Sequence, residues 1–426
     1  MPPVRDASGL LHLGGVSLAE LVGPLGTPTY VYDVDAMAAG ARELVAAFAD
    51  APHLVAYAVK ANTAGRVIRA LAGAGCGADV VSGAELRVAL ACGVAPDRVV
   101  YSGVAKTDDE IDAALSCGSR GIGAVQVESL EEIGRLEARA RATGRRARVG
   151  IRANPSLDLK GVTHANIATG HDEAKFGVPR GDVLRAVALV DASPHLELVG
   201  IGAHVGSQFM SDGPYLESAR ALFEFIRGAR ASGRARSLAF VDTGGGFGVD
   251  YTGERTDVLR PADFVATVRR EMRAAGLDDL ALYVEPGRSL VAPHGVLVAR
   301  VIQPKVAAVA RWLMIDAGMN DLMRPALYQA RHRIVAIDGP ATPPLAVPWR
   351  VVGPVCESSD DFGEHLLPLE PPNAVAILDA GAYGFTMASR YNGRQLPLEA
   401  FVSGGSVVAT TKRDTVDAWV AERVGV

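Results

Sequence analysis

The sequence predicts a parallel (β/α)8 barrel, an α/β fold, joined to a second and mostly β domain. Between residues 36 and 291, short β-branched runs alternate with Ala-, Leu-, Arg- and Glu-rich stretches of helical period, the rhythm of repeated βα units. Eight such runs occur, at 54–60, 78–82, 99–102, 124–128, 148–154, 198–204, 238–243 and 280–285. Eight repeats over about 250 residues favour a closed barrel over an open doubly wound sheet. After residue 292 the helical rhythm gives way to Val- and Ile-rich runs broken by Pro and Gly, which reads as an all-β domain.

The chain opens with a short amphipathic segment, Val16-Ser-Leu-Ala-Glu-Leu-Val22, and a β-rich run, Pro28-Thr-Tyr-Val-Tyr-Asp33. That run precedes the first barrel helix, so it is expected to join the second domain. The division is therefore 36–291 for the barrel and 1–35 with 292–426 for the β domain. Inside the barrel, helices are plainest in Gly83-Ala-Glu-Leu-Arg-Val-Ala-Leu-Ala91 and in Leu130-Glu-Glu-Ile-Gly-Arg-Leu-Glu-Ala-Arg139. In the β domain, strands are expected at 295–302, 311–316, 350–355 and 374–379, with the proline-rich stretches at 340–344 and 368–372 as surface connections.

Composition narrows the function. With 426 residues and 49% of them hydrophobic, the chain can bury a large core, yet no run approaches the ~18 apolar residues of a membrane span. A net charge of −5, with arginines dispersed rather than massed, gives no general attraction to nucleic acid or to an anionic membrane. Small molecules are the expected partners. The first residues lack a basic segment followed by an apolar stretch, so a cytoplasmic setting is expected. The four cysteines, Cys76, Cys92, Cys117 and Cys356, have neither Cys-x-x-Cys spacing nor a neighbouring histidine pair. No metal site and no disulfide framework is expected, and the first three read as packing residues.

The barrel runs share one property: each ends in polar or glycine-rich chemistry. The ends are Lys60, Ser82, Ser102, Glu128, Asn154, His204, the Thr243-Gly-Gly-Gly turn and Glu285. In a barrel these carboxyl ends converge on one face, so side chains more than 200 positions apart can share a site. Taken singly, each has a bland reading. Lys60 would be a solvated strand end, but a lysine at the mouth of a dry site can act as an amine nucleophile toward a carbonyl. Gly244, Gly245 and Gly246 would be a tight turn, but adjacent glycines also let backbone N–H groups converge on a phosphate. His204 would be a satisfied core histidine, and Glu285 with Arg288 a surface ion pair. In a site, His204 could stack on an aromatic ring and Ser207 donate to phosphate. Glu285 could there hold a pyridine nitrogen protonated and Arg288 bind an anionic substrate group. In the β domain, a thiol bracketed by Pro354 and Glu357 is unusual for a packing cysteine, and Cys356 could donate a proton. Arg324 and Tyr328 suit a carboxylate, or equally a structural clamp.

In this order the motifs are Tyr57-Ala-Val-Lys-Ala-Asn62, Asn154-Pro with Thr163-His and Lys175-Phe-Gly, His204-Val-Gly-Ser-Gln208, Gly244-Gly-Gly and Glu285-Pro-Gly-Arg288. They continue with Met319-Asn-Asp-Leu-Met-Arg-Pro-Ala-Leu-Tyr328, Cys356-Glu-Ser-Ser-Asp360 and Asp379-Ala-Gly-Ala-Tyr-Gly384. Together they resemble the barrel-fold pyridoxal-phosphate decarboxylases, a family that includes ornithine and arginine decarboxylases, from about residue 18 to the end of the chain. The resemblance implies pyridoxal 5'-phosphate as cofactor, carried on Lys60. His204 would stack on its ring, Glu285 pair with its nitrogen, and Ser207, Gly244, Gly245, Gly246, Gly287, Arg288 and Tyr383 surround its phosphate. It implies Cys356 as proton donor, reaching the site of a partner subunit together with Glu357 in a homodimer with shared active sites. Arg288, Arg324, Tyr328, Glu357 and Tyr383 would bind the substrate. Within the family the likeness is nearest to the enzymes that turn meso-2,6-diaminopimelate into L-lysine and CO2. The segments 154–164 and 209–215 depart from the usual pattern beside the substrate pocket, which leaves another basic or modified amino acid as the alternative. Racemization, which the same barrel supports, is disfavoured by Glu285, because a protonated ring drains electrons toward decarboxylation.

Overall fold

The structure, a computed structural model, describes residues 3–157, 169–170, 174–340 and 343–425. The motif residues Thr163 and His164 lie outside the described residues. The chain divides into two units, one of Ala38–Gly248 with Asp257–Ser289, the other of Met1–Met37, Val249–Thr256 and Leu290–Val426.

All eight runs of the first unit form strands: His53–Ala58, Gly77–Val80, Val99–Tyr101, Ala124–Val127, Ala147–Asn154, Leu196–Gly202, Phe240–Asp242 and Ala281–Val284. Each pairs in parallel with the next, and the eighth returns to the first with Leu282 opposite His53, so the sheet closes into the expected barrel. The short strand Val178–Pro179 adds to the outside of the fifth. Alternation along each strand turns Leu54, Ala56, Val100 and Tyr283 toward one interior cluster, and Ala124, Val199 and Phe240 toward another that Tyr283 also joins. The rings of Phe240 and Tyr283 stack at 4.0 Å and fill the middle of the barrel. Room for them comes from Gly200, where a Cβ would stand 2.1 Å from the Phe240 ring.

Helix caps fix where the strands stop. Ser82 accepts the Glu85 N–H at 3.2 Å to start the helix Gly83–Ala91. Thr107 and Glu110 form a reciprocal capping box before Asp108–Ser116, and Ser129 caps Leu130–Ala142. Ser82 is therefore spent on a cap rather than on chemistry.

The second unit is built around the long strand Gly295–Val306. It pairs antiparallel with Thr29–Asp33, Arg311–Ile315 and Ala374–Ile377. Thr29–Asp33 is buried along its whole length, and its other edge pairs in parallel with Leu398–Ser403. The N-terminal run is thus a central strand of the β unit, as its place before the first barrel helix suggested. Ala346–Val352 extends the sheet beside Arg311–Ile315 and pairs with Asp361–Pro368. Val31, Val296, Val298, Ala376 and Val402 form its core.

Candidate active site

Past the first barrel strand the chain makes one tight turn, Val59–Ala61, which brings Lys60 over the barrel's carboxyl end. Its Nζ donates to Asp79 Oδ2 at 2.5 Å. Asp79, inside the second strand, is wholly buried, whereas the lysine side chain keeps 34% of its exposure. An accessible amine and a buried carboxylate thus meet at the mouth of the cavity, where a lysine can act as a nucleophile toward a carbonyl.

The floor of the same cavity carries two more acids. Gln126 Nε2 donates to Asp242 Oδ2 at 3.0 Å and reaches Glu285 Oε1 at 3.5 Å. Burial pushes Asp242 up to about 6, with hydrogen bonds from Gly244 and Glu285 opposing it and the charge of Asp79 adding to it. Burial also pushes Glu285 well above the carboxylate range, with the charges of Asp242 and Asp79 adding to it. Glu285 Oε2 lies 3.6 Å from His204 Nδ1, and the same nitrogen accepts the Gly245 N–H at 3.3 Å. Burial, then the charges of Arg152 and Lys60, pushes His204 down to about 3, so its ring is neutral. Arg152 is held by Glu128 Oε1 at 3.0 Å and by the His204 carbonyl at 3.1 Å, with its guanidinium 4.8 Å from the Phe176 ring. Lys60, Asp79, Ser102, His204, Asp242 and Glu285 line a cavity of about 340 Å³.

The glycine turn has a packing requirement of its own. Gly244 and Gly246 have φ of +70° and +90°. A Cβ on Gly245 would lie 1.9 Å from the Glu285 carbonyl, and one on Gly246 would lie 2.4 Å from that of Gly206. The loops after the sixth, seventh and eighth strands thus interlock through bare backbone. Gly287 packs on the Lys60 turn, where a Cβ would stand 3.0 Å from that of Ala61. Arg288, buried, donates from Nη2 to Ser207 Oγ at 3.0 Å.

In the β unit, Arg324 is buried and well held. Its guanidinium lies 4.2 Å from the centre of the Tyr251 ring, and Nη1 donates to His332 Nε2 at 2.6 Å, while His332 Nδ1 donates to the Leu378 carbonyl at 2.8 Å. Tyr328, one helical turn on, and Tyr383, at φ +53°, are half-buried. Cys356 and Glu357 are exposed on a turn. Asn392 Oδ1 accepts the Cys356 N–H at 2.7 Å and Glu357 accepts the Tyr391 hydroxyl at 2.5 Å. Cys76 and Cys92 are buried as packing residues, and Cys117 is half-buried.

Residues 35–292 match the family described as "Pyridoxal-dependent decarboxylase, pyridoxal binding domain". Diaminopimelate decarboxylase of Zymomonas mobilis is 38% identical over 98% of this chain and 97% of its own length. That of Pseudomonas aeruginosa is 39% identical over 97% and 96%. The chain belongs to the diaminopimelate decarboxylase family. Among solved structures of that family, the Helicobacter pylori enzyme complexed with L-lysine superposes with a TM-score of 0.87 at 38% identity, covering 96% of this chain and 100% of that one. The M. jannaschii enzyme in co-complex with L-lysine gives 0.90 at 32% identity, over 99% and 97%.

For a member of this family, the run-end reading found Lys60, Ser102, His204 and Glu285, all of which line the cavity. Glu128 supports it from behind through Arg152, and Asn154 is spent on its own loop, accepting the Ser156 N–H at 2.9 Å. Asp79, Gln126, Arg152 and Asp242 were missed, because attention to the last residue of each run passes over polar residues within it. The usable signal was there: an ionisable or amide side chain inside an otherwise apolar barrel strand has to face a site or a partner.

Proposed function

We propose that this protein decarboxylates meso-2,6-diaminopimelate to L-lysine and CO2, with pyridoxal 5'-phosphate as its cofactor. The observation that most supports it is one cavity that sets an accessible lysine against a buried aspartate, beside two further buried acids, Asp242 and Glu285, joined by Gln126. The cavity also fits the cofactor. Among the described residues, Asp79 Oδ1 and Ser102 Oγ are buried there without a hydrogen-bond partner, so a polar ligand has donors and acceptors to complete. Three carboxyl groups face Lys60 and Arg152, and Arg152 is already matched by Glu128, which leaves negative charge for a protonated ring nitrogen.

Lys60 would hold the cofactor by Nζ, with Asp79 beside it. His204, neutral and fixed by the Gly245 N–H, would lie against its ring, and Glu285, backed by Asp242, would pair with the nitrogen. Ser207, the turn of Gly244, Gly245 and Gly246, Gly287, Arg288 and Tyr383 would surround the phosphate. When bound, pyridoxal phosphate supplies the electron sink that accepts the pair left on Cα as CO2 departs. Cys356 Sγ then delivers a proton to Cα, so that hydrogen replaces the lost carboxylate. Arg288, Arg324, Tyr328, Glu357 and Tyr383 would hold the substrate, with Arg324 pre-oriented by His332 and Tyr251 for a carboxylate.

The exposure of Cys356 and Glu357 supports a homodimer in which each chain lends this turn to the barrel of the other. A cytoplasmic setting belongs to the same proposal; among the described residues no helix is long and apolar enough to cross a membrane. The deciding experiment is to supply meso-diaminopimelate to the holoenzyme and measure CO2 and lysine together. Turnover of ornithine, arginine or another basic amino acid in its place would overturn the substrate and keep the chemistry.

A further inference from the structure

The barrel has a second mouth. Because its eight strands run the same way, their amino ends gather on the face opposite Lys60, and there a cavity of about 550 Å³ opens. Arg98, Arg120 and Arg148 line it, with His53, Asp97 and Tyr283. Arg148 lies near the start of the strand Ala147–Asn154, in alternating register with Gly150 and Arg152, so one strand sends an arginine to each mouth. Tyr283, stacked on Phe240, stands between the two.

The three guanidiniums are poorly matched by the protein. Arg148 Nε is buried and meets no hydrogen-bond partner among the described residues. Arg98 has a hydrogen bond from Nη2 to the Gly75 carbonyl at 2.7 Å. Arg120, whose side chain is 71% exposed, comes no nearer to Glu197 than 3.6 Å. Against three positive groups the lining offers one carboxylate, Asp97. An unmet buried donor is costly, and a bound acceptor recovers that cost.

We propose that this cavity binds a small polyanion carrying two or more carboxylate or phosphate groups. Guanidinium forks recognise both groups bidentately, and three of them around one cavity suit an anion that carries more than one such group. The site shares no lining residue with the catalytic cavity and needs no pyridoxal phosphate.

Calorimetric titration of the holoenzyme with pyrophosphate and, separately, with citrate tests it. One-site binding of at least one probe is expected, weakened at least about tenfold in both Arg148→Gln and Arg120→Gln. Because Arg120 is exposed, its variant keeps the fold, and both variants should retain the cofactor's absorbance. Binding of pyrophosphate alone assigns the site to phosphates, and of citrate alone to carboxylates. Failure of both probes to bind, or equal affinity in the parent and both variants, overturns the proposal.

Discussion

The two units present their candidate groups in opposite ways. In the barrel unit, Asp79, Asp242 and Glu285 are almost fully buried, Asp79 bonded to Lys60 and the other two joined through Gln126 with His204 beside Glu285. In the β unit, Cys356 and Glu357 stand exposed on a turn held by two hydrogen bonds to Tyr391 and Asn392. A cofactor seat must be rigid and dry, because electrostatic control over a ring nitrogen weakens in water. A proton donor that acts after CO2 has left can sit on an exposed turn. The difference predicts that barrel substitutions remove the cofactor, while β-unit substitutions leave it bound and slow or weaken the reaction.

The largest effect is expected at Lys60. Lys60→Ala should leave no cofactor adduct that borohydride can trap and no measurable turnover, with an unchanged circular dichroism spectrum. A trappable adduct in that variant would reassign the lysine. Cys356→Ala should lower kcat about 10²- to 10³-fold while the cofactor's absorbance stays at the parent's level. If the absorbance fell as well, the division of labour between the units would be wrong. Arg324→Lys should raise KM about tenfold and change kcat little, since an ammonium cannot reproduce the fork that His332 and Tyr251 orient. An unchanged KM would make Arg324 a structural clamp only.

The smallest effect is one of stability and pH. Burial raises the Glu399 carboxyl, which accepts from Tyr32, to about 7. A carboxyl whose folded value is raised contributes stability that is full below its unfolded value and is lost as pH rises through the folded one. Glu399→Gln should therefore match the parent at pH 4 and exceed it by roughly 3 kcal/mol at pH 8, read as a higher Tm. A constant difference across that range would mean that Glu399 is not protonated in the folded chain.

Much of the fold was legible because burial acts on the chain locally. A parallel strand covered on both faces must be an apolar run, so all eight barrel strands, and the N-terminal strand that crosses to the β unit, could be read directly. Lys60, His204 and Glu285 were legible because they end such runs. Asp79 and Arg152 were not, although their sequence neighbours are equally apolar, because what distinguishes them is which way alternate residues face once the barrel closes.

The sequence by itself determined the order of strands, the closure of the barrel and the motifs that mark the family, since these follow from periodicity and from residue type at strand ends. Only the tertiary structure decided that Lys60 meets Asp79, that Asp242 and Glu285 are buried together at Gln126, and that Arg148 and Arg152 serve opposite mouths. Those facts depend on distances across the barrel between residues far apart in the chain, and on the loss of water around them, neither of which is written in the order of residues.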